Sequence, residues 1–346
     1  MINTKTLEKL DWPLLTSHLV NKTQTFEGKE RAASILPELT QRAIESQWEL
    51  TLQLKEAFSY GATPFSFRTI LPIKDTLRCA MIGQLLDQDN LLNLRNILRT
   101  TKDFSDYART STLKTNKTIA YFDRKITPLR PLLDLFEQTF DQDGNLLDEA
   151  SFELKRIRIA KNSIARQIEG RIKHLLQKNT NLAKYLQDDY FTKRNDRYVV
   201  PIKIDGNGRV DGVVVDTSSS GLTIFVEPTA IRPLNDDLIQ LLSEERIEIL
   251  KILLDVSKKI ASHENELAQN YEALIDLDYI TAHALLAREW NAQPVAIVSE
   301  PVIDLKNARH PLLYKGEVPP VANDICLYPH QHMLMISGPN AGGKTV

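Results

Sequence analysis

Met333-Leu-Met-Ile-Ser-Gly-Pro-Asn-Ala-Gly-Gly-Lys-Thr345 is the stretch from which the rest of the chain is best read. Met333 to Ile336 are apolar and predict a short buried strand. Gly338 to Thr345 then fit G-x-x-x-x-G-K-[ST], the pattern of a phosphate-binding loop. Gly338, Gly342 and Gly343 let the backbone curl so that its N–H groups converge on phosphate oxygens. Pro339, Asn340 and Ala341 fill the loop between them. Lys344 supplies a mobile cation for the β- and γ-phosphates, and Thr345 supplies a hydroxyl for Mg²⁺. The expected cofactors are therefore ATP and Mg²⁺. The alternative is a Gly-rich turn that binds nothing. A helix should follow, because its positive end completes the anion site; the sequence ends one residue later, at Val346. These 346 residues by themselves are expected neither to hydrolyse ATP nor to bind it tightly.

Working back from the loop, Val295–Val298, Val302–Leu305 and Ile325–Leu327 read as short strands. Before them, a helical pattern runs from Asn235 to about Trp290, with Asn235 or Asp236 as its cap. Upstream, Arg197–Ile204, Val210–Asp216 and Leu222–Val226 alternate with period two and predict a three-stranded antiparallel sheet. Pro201 would confine its strand to an edge or a bulge. Another long helical pattern, roughly 147–187, carries Leu154, Ile157, Ile164, Ile168 and Ile172 on one stripe. Two long helices flanking a small sheet predict an antiparallel stalk with the sheet at its tip.

Residues 1 to about 140 read as amphipathic helices punctuated by Pro37, Pro64, Pro72 and Pro128, with no cluster that suggests chemistry. The chain is 42% hydrophobic and 25% charged, so disorder is not the default. Cys79 and Cys326 lie far apart without ligand spacing, which suggests free thiols in a reducing cytoplasm. No signal peptide opens the chain, and no run approaches the ~20 apolar residues of a membrane span.

The net charge is only −2, so any nucleic-acid surface must be a local patch. Residues 151–210 carry fourteen basic side chains against six acidic ones, whereas 236–290 carry twelve acids against five bases. Cross-helix ion pairing would account for much of this contrast and is slightly the better reading of it. The segment Lys193-Arg-Asn-Asp-Arg197 is expected near the tip, away from the acidic helix. Lys193, Arg194, Asn195 and Arg197, with Lys203, Arg209, Ser218 and Ser219, are the candidate phosphate-backbone contacts. A plain β-turn explains Ser218–Gly221 about equally well. His263-Glu264 lacks the second histidine of a zinc helix, and His330-x-His332 has no acidic or cysteine neighbour.

Several of these stretches resemble one family. Gly338-Pro-Asn-Ala-Gly-Gly-Lys-Thr is close to the loop of the MutS ATPases. Ala308-Arg-His-Pro-Leu312 and Val321-Ala-Asn-Asp-Ile325 are similar to their lead-in segments. Arg194-Asn-Asp-Arg-Tyr-Val-Val-Pro-Ile-Lys203 and Asp216-Thr-Ser-Ser-Ser-Gly-x-Thr-x-Phe-Val-Glu-Pro228 resemble the type-II branch. The mismatch-repair branch begins with a domain that wedges an aromatic beside a mispair through Phe-x-Glu; this chain starts directly in helical core.

The resemblance implies a mainly α fold. A helical core (lever) domain would occupy 1–146. A stalk and clamp would occupy 147–290, with the β tip at about 190–228. A P-loop ATPase truncated after its loop would occupy 291–346. It further implies a homodimer that grips branched or duplex DNA under ATP control and suppresses recombination. Two alternatives stay open: a quality-control ATPase that binds rRNA in stalled or collided ribosomes and splits them, and an SMC-like tether. Type-II members usually add a C-terminal Smr nuclease module, which this sequence lacks. His310 and Asn323-Asp324 lie in the lead-in segments, and His310 reads more readily as a capping or packing residue.

Overall fold

The computed structural model describes residues 4–38, 40–109, 113–178, 184–187, 191–313, 320–335 and 337. The protein is mainly helical, with two small antiparallel sheets. The helices before the sheets are α1 (Thr4–Lys9), α2 (Trp12–Val20), α3 (Phe26–Ala33), α4 (Gln41–Ser59), α5 (Lys74–Met81), α6 (Gln88–Ala108), α7 (Lys117–Lys125), α8 (Arg130–Thr139) and α9 (Phe152–Lys178). After the first sheet come α10 (Arg232–Ser262) and α11 (Glu264–Glu289). Two compact units result: Met1–Arg78 with Asn90–Leu133 and His263–Val346, and Cys79–Asp89 with Asp134–Ser262.

In the first unit α11 packs against α2, α3, α4 and α7. Its buried residues, among them Leu267, Leu274, Ile275, Leu277 and Ala284, lie around most of the helix, as expected of a core helix. Asp278 sits in the same core with no exposed surface. It accepts hydrogen bonds from the backbone N–H of Gln24 and Thr25 and from the Thr25 hydroxyl (2.6 Å). Thr25 in turn caps α3 by accepting from the Gly28 N–H. Burial pushes the Asp278 carboxyl above the usual carboxylate range, against those hydrogen bonds, which lower it.

The apolar periodicity predicted one helix from Asn235 to Trp290. There are two, separated at His263, whose φ of −118° leaves the helical region. Neither Pro nor Gly stands at the break, so the apolar stripe runs straight through it. Asn235 is not a cap either. The helix begins at Arg232, with Pro233 in its first turn, and Asn235 is buried inside it.

In the second unit α9 and α10 lie antiparallel, sealed by Ile168, Ile172 and Leu238 at the end that carries the sheet. That sheet has four strands in the order β1 (Thr192–Arg194), β2 (Arg197–Lys203), β4 (Thr223–Pro228), β3 (Gly212–Thr217). Periodicity missed β1, because three residues are too short to show it. Pro201 does not lie on an edge strand: β2 is internal, and Pro201 is paired with Phe225 of β4. It is tolerated because β1 flanks only 197–199. Beyond that the neighbour is a single bridge, and the Gln187 N–H donates to the Pro201 carbonyl.

The second sheet, in the first unit, pairs β5 (Ile303–Ala308) with β6 (Asn323–Leu327). The expected strand at 295–298 is absent. Residues 333–335 are neither strand nor buried: Met333 and Met335 are about four-fifths exposed. A strand of this kind needs neighbours on both sides, and among the described residues none flanks it.

Candidate nucleic-acid interface

The sheet of the second unit is built from β-branched and aromatic residues that bury one face on the helix pair. Tyr198, Val200, Ile202, Ile224 and Val226 join Ile168, Ile172 and Leu238 in one cluster. Asn195 and Asp196 turn β1 into β2 with φ of 50° and 61°, the left-handed pair that a two-residue hairpin needs.

The candidate cations divide by what holds them. Arg197 is taken up inside the unit. Its guanidinium donates to Glu227 (2.7 Å) and Asp236 (2.8 Å), and both bonds raise its pKa. Glu227 is buried and also accepts from the Asn235 amide, which bonds the Tyr198 backbone on both sides. Asp196 pairs with Arg246 of α10 (3.2 Å). The segment 193–197 is therefore against the acidic helix, not away from it. Its turn folds back onto α10, where side chains distant in sequence neutralise it.

Arg194 lies over the Phe225 ring (4.4 Å) and 3.6 Å from Asp216. Lys193 lies over Tyr198 (4.6 Å). Arg209 donates to the Tyr185 hydroxyl (2.7 Å) and covers its ring. All three are exposed; Lys193 and Arg209 have no carboxylate within 4 Å among the described residues, whereas Arg194 is paired with Asp216. Lys203, where β2 ends, is exposed and has no carboxylate within 4 Å among the described residues. Beside it, Thr223 opens β4 after the 218–222 loop. Ser218 closes that loop: its N–H donates to the Thr223 carbonyl, and its hydroxyl accepts from the Thr223 N–H. Gly221, at φ 69°, completes the turn, so turn chemistry accounts for Ser218 and leaves Ser219 exposed.

The sequence list omitted a further group. On α9, Arg156, Arg158 and Lys161 pair with acids of α10: Arg156 with Glu244 (3.7 Å), Arg158 with Glu245 (2.9 Å), and Lys161 also with Glu245. Farther along the same helix Arg166, Arg171, Lys173 and Lys178 are exposed, without a carboxylate within 4 Å among the described residues. On the register those pairs set, Arg166 stands near Asp236, which Arg197 already holds. Arg171 and Lys173 stand level with the start of α10, beyond its acids. Projecting the two helices against each other would have shown this from sequence.

The two lead-in segments do come together. Ala308 pairs with Asn323 and Leu305 with Ile325. Asp324 accepts from the N–H of Asn307, which holds a left-handed φ of 53°. His310 is exposed just after β5. The loop residues Gly338, Pro339, Asn340, Ala341, Gly342, Gly343, Lys344 and Thr345 lie outside the described residues. No group of three or more metal-ligating side chains occurs among the described residues, and no described helix is long and apolar enough to cross a membrane.

A helical unit, a helix pair ending in a small cation-edged sheet, and the paired lead-in strands are the parts expected of a protein of the MutS class. The branch follows from its relatives. Proteins named endonuclease MutS2 match along the whole chain. The one from Caldicellulosiruptor saccharolyticus is 30% identical over 350 residues, that from Carboxydothermus hydrogenoformans 34% over 357, and that from Alkaliphilus metalliredigens 32% over 352. The chain belongs to the type-II, MutS2 branch of the family. It spans 43% of the length of each of these relatives. No protein-family model matches it.

Proposed function

We propose that this chain is the nucleic-acid-gripping part of a type-II MutS ATPase acting on branched or duplex DNA, without mismatch reading, in the suppression of recombination. The helical unit serves as lever, the α9–α10 pair as stalk, and the four-stranded sheet as clamp. Residues 291–346 begin the ATPase, with Gly338 to Thr345 cradling ATP and Mg²⁺ in the whole protein. That protein works as a cytoplasmic homodimer whose ATP turnover opens and closes the grip. Any nuclease activity belongs to a module outside these residues.

Similarity to MutS2 proteins along the whole of this chain is the observation that carries this reading. The surface cations Lys193, Arg194, Lys203 and Arg209 give it a physical basis, since fixed positive charge binds phosphate through counterion release. No observation favours the ribosome-splitting or tether readings over it.

The test is competition binding at stated salt between a four-way junction, linear duplex and 70S ribosomes, with Lys203→Glu/Arg209→Glu as the clamp variant. Salt-dependent DNA binding that the variant loses is the expected result. Binding to ribosomes alone would sink the DNA reading. Nucleotide titration by calorimetry should show no tight ATP binding to this chain; micromolar affinity would contradict it.

A further inference from the structure

The cation row on α9 has features that a merely solvated face does not need. Arg166 and Lys173 are seven residues apart and share one row along the helix; Arg171 and Lys178 form a second. Each pair is separated by ~10 Å along the axis at ~1.5 Å per residue. From residue 162 to 178 the helix holds a single acid, Glu169, whose carboxylate faces the Tyr198 hydroxyl.

Gly170 stands on the outward face between the two rows. A glycine inside a helix weakens it relative to alanine. Among the described residues nothing lies within 4 Å of where its Cβ would be, so none of them requires the glycine for packing. What an absent side chain does provide is close approach for something outside the chain.

Base stacking is not the chemistry on offer. α9 carries no Phe, Tyr or Trp beyond Phe152 at its start, and a single imidazole, His174, stands exposed between the two rows. In the adjoining sheet region, cations already lie over Tyr185, Tyr198 and Phe225. Single-strand binders need several open rings; fixed cations on either side of a glycine suit the phosphate backbone of a double helix.

We propose that the outer face of α9 between Arg166 and Lys178 seats the sugar-phosphate backbone of a nucleic-acid duplex. Arg166 and Lys173 form one row of contacts, Arg171 and Lys178 the other, and Gly170 is the point of closest approach. This rests on the nucleic-acid reading above and extends the contact surface from the sheet onto the shaft of the stalk.

The experiment is fluorescence anisotropy of the 346-residue chain from 50 to 200 mM salt. The probes are a labelled 30-base-pair DNA duplex, the same duplex in RNA, and its single strand. Arg166→Glu/Lys173→Glu is expected to weaken duplex binding about tenfold or more at 100 mM salt, and to reduce the salt slope by roughly 2. Gly170→Leu is expected to raise Tm while weakening duplex binding, a combination that misfolding cannot produce. Arg156→Gln, in the paired part of the helix, should bind as the parent does.

If both α9 variants bind like the parent while Lys203→Glu/Arg209→Glu loses affinity, the shaft is not a contact and the clamp reading stands. If the parent binds neither duplex in a salt-dependent way, that reading fails and this one with it. Tighter binding to the single strand than to either duplex would overturn the duplex assignment. The DNA and RNA arms show which duplex is preferred.

Discussion

The two halves of α9 have similar charge in sequence and opposite fates in the fold. From Arg156 to Lys161 the cations face Glu244 and Glu245 and are neutralised; Glu245 itself is buried between Arg158 and Lys161. From Arg166 to Lys178 the cations face solvent with no carboxylate within 4 Å among the described residues. The first half shows that a charge run can be a packing device. The second shows that a helix can keep charge it does not use for its own stability. Composition alone cannot separate the two; the partner helix decides.

The comparison is most easily broken at Glu245. Its truncation would leave two cations beside a half-buried site, one of the costly ways to damage a fold. Glu245→Ala should destabilise the protein by about 2 kcal/mol, read as a lower midpoint in urea unfolding followed by circular dichroism. A neutral outcome would mean that the pairs at Arg158 and Lys161 contribute nothing.

The same carboxylate sets a pH dependence of the next size. Burial pushes the Glu245 carboxyl up, but hydrogen bonds and charge from Lys161 and Arg158 outweigh burial and hold it below its ordinary 4.5. A carboxyl lowered on folding stabilises above its ordinary value, and that contribution disappears as pH falls through the lowered one. Stability should therefore drop on acidification below about pH 4.5, and Glu245→Gln should show a shallower drop. An unchanged acid profile in Glu245→Gln would assign the loss to other carboxyls.

The helices were legible because their apolar spacing is regular over many turns; α4 and α6 lie close to where the stripes put them, and α9 occupies the middle of its expected span of roughly 147–187. The break at His263 was not, since no residue there interrupts the stripe. Three strands showed in the alternation around Val199, Val214 and Phe225, whereas β1 is shorter than one period of confirmation. Arg197 looked like a free cation because its partners, Glu227 and Asp236, stand 30 and 39 residues away. Asn235 looked like a cap because its amide is meant for backbone groups, and so it is, though those of Tyr198 on another element. Lys203 is exposed, with no carboxylate within 4 Å among the described residues. The phosphate loop was legible as a motif and lies outside the described residues.

A smaller effect sharpens the contrast from the unpaired side. Gly170→Ala fills open space on a helix surface, so it should stabilise by about 0.5–1 kcal/mol through helix propensity. The measurement is the shift in urea midpoint at constant m. A loss of stability would show that something in the chain closes over Gly170 and that the face is not open.

Smallest of all should be the effect of removing the unpaired cations on folding itself. Arg166→Ala/Lys173→Ala deletes charge that contacts no acid among the described residues, so stability should change by no more than about 0.5 kcal/mol at 150 mM salt. The sign at low salt carries the argument. Like charges crowded on one helix repel, and a Debye length of ~30 Å at 10 mM leaves that repulsion unscreened. The double variant should then be slightly more stable than its parent at 10 mM, with the difference vanishing as salt rises. If it is instead less stable by more than about 1 kcal/mol at every salt, these cations hold the unit together as Arg158 and Lys161 do. The helix would then have one kind of charge along its whole length, not two.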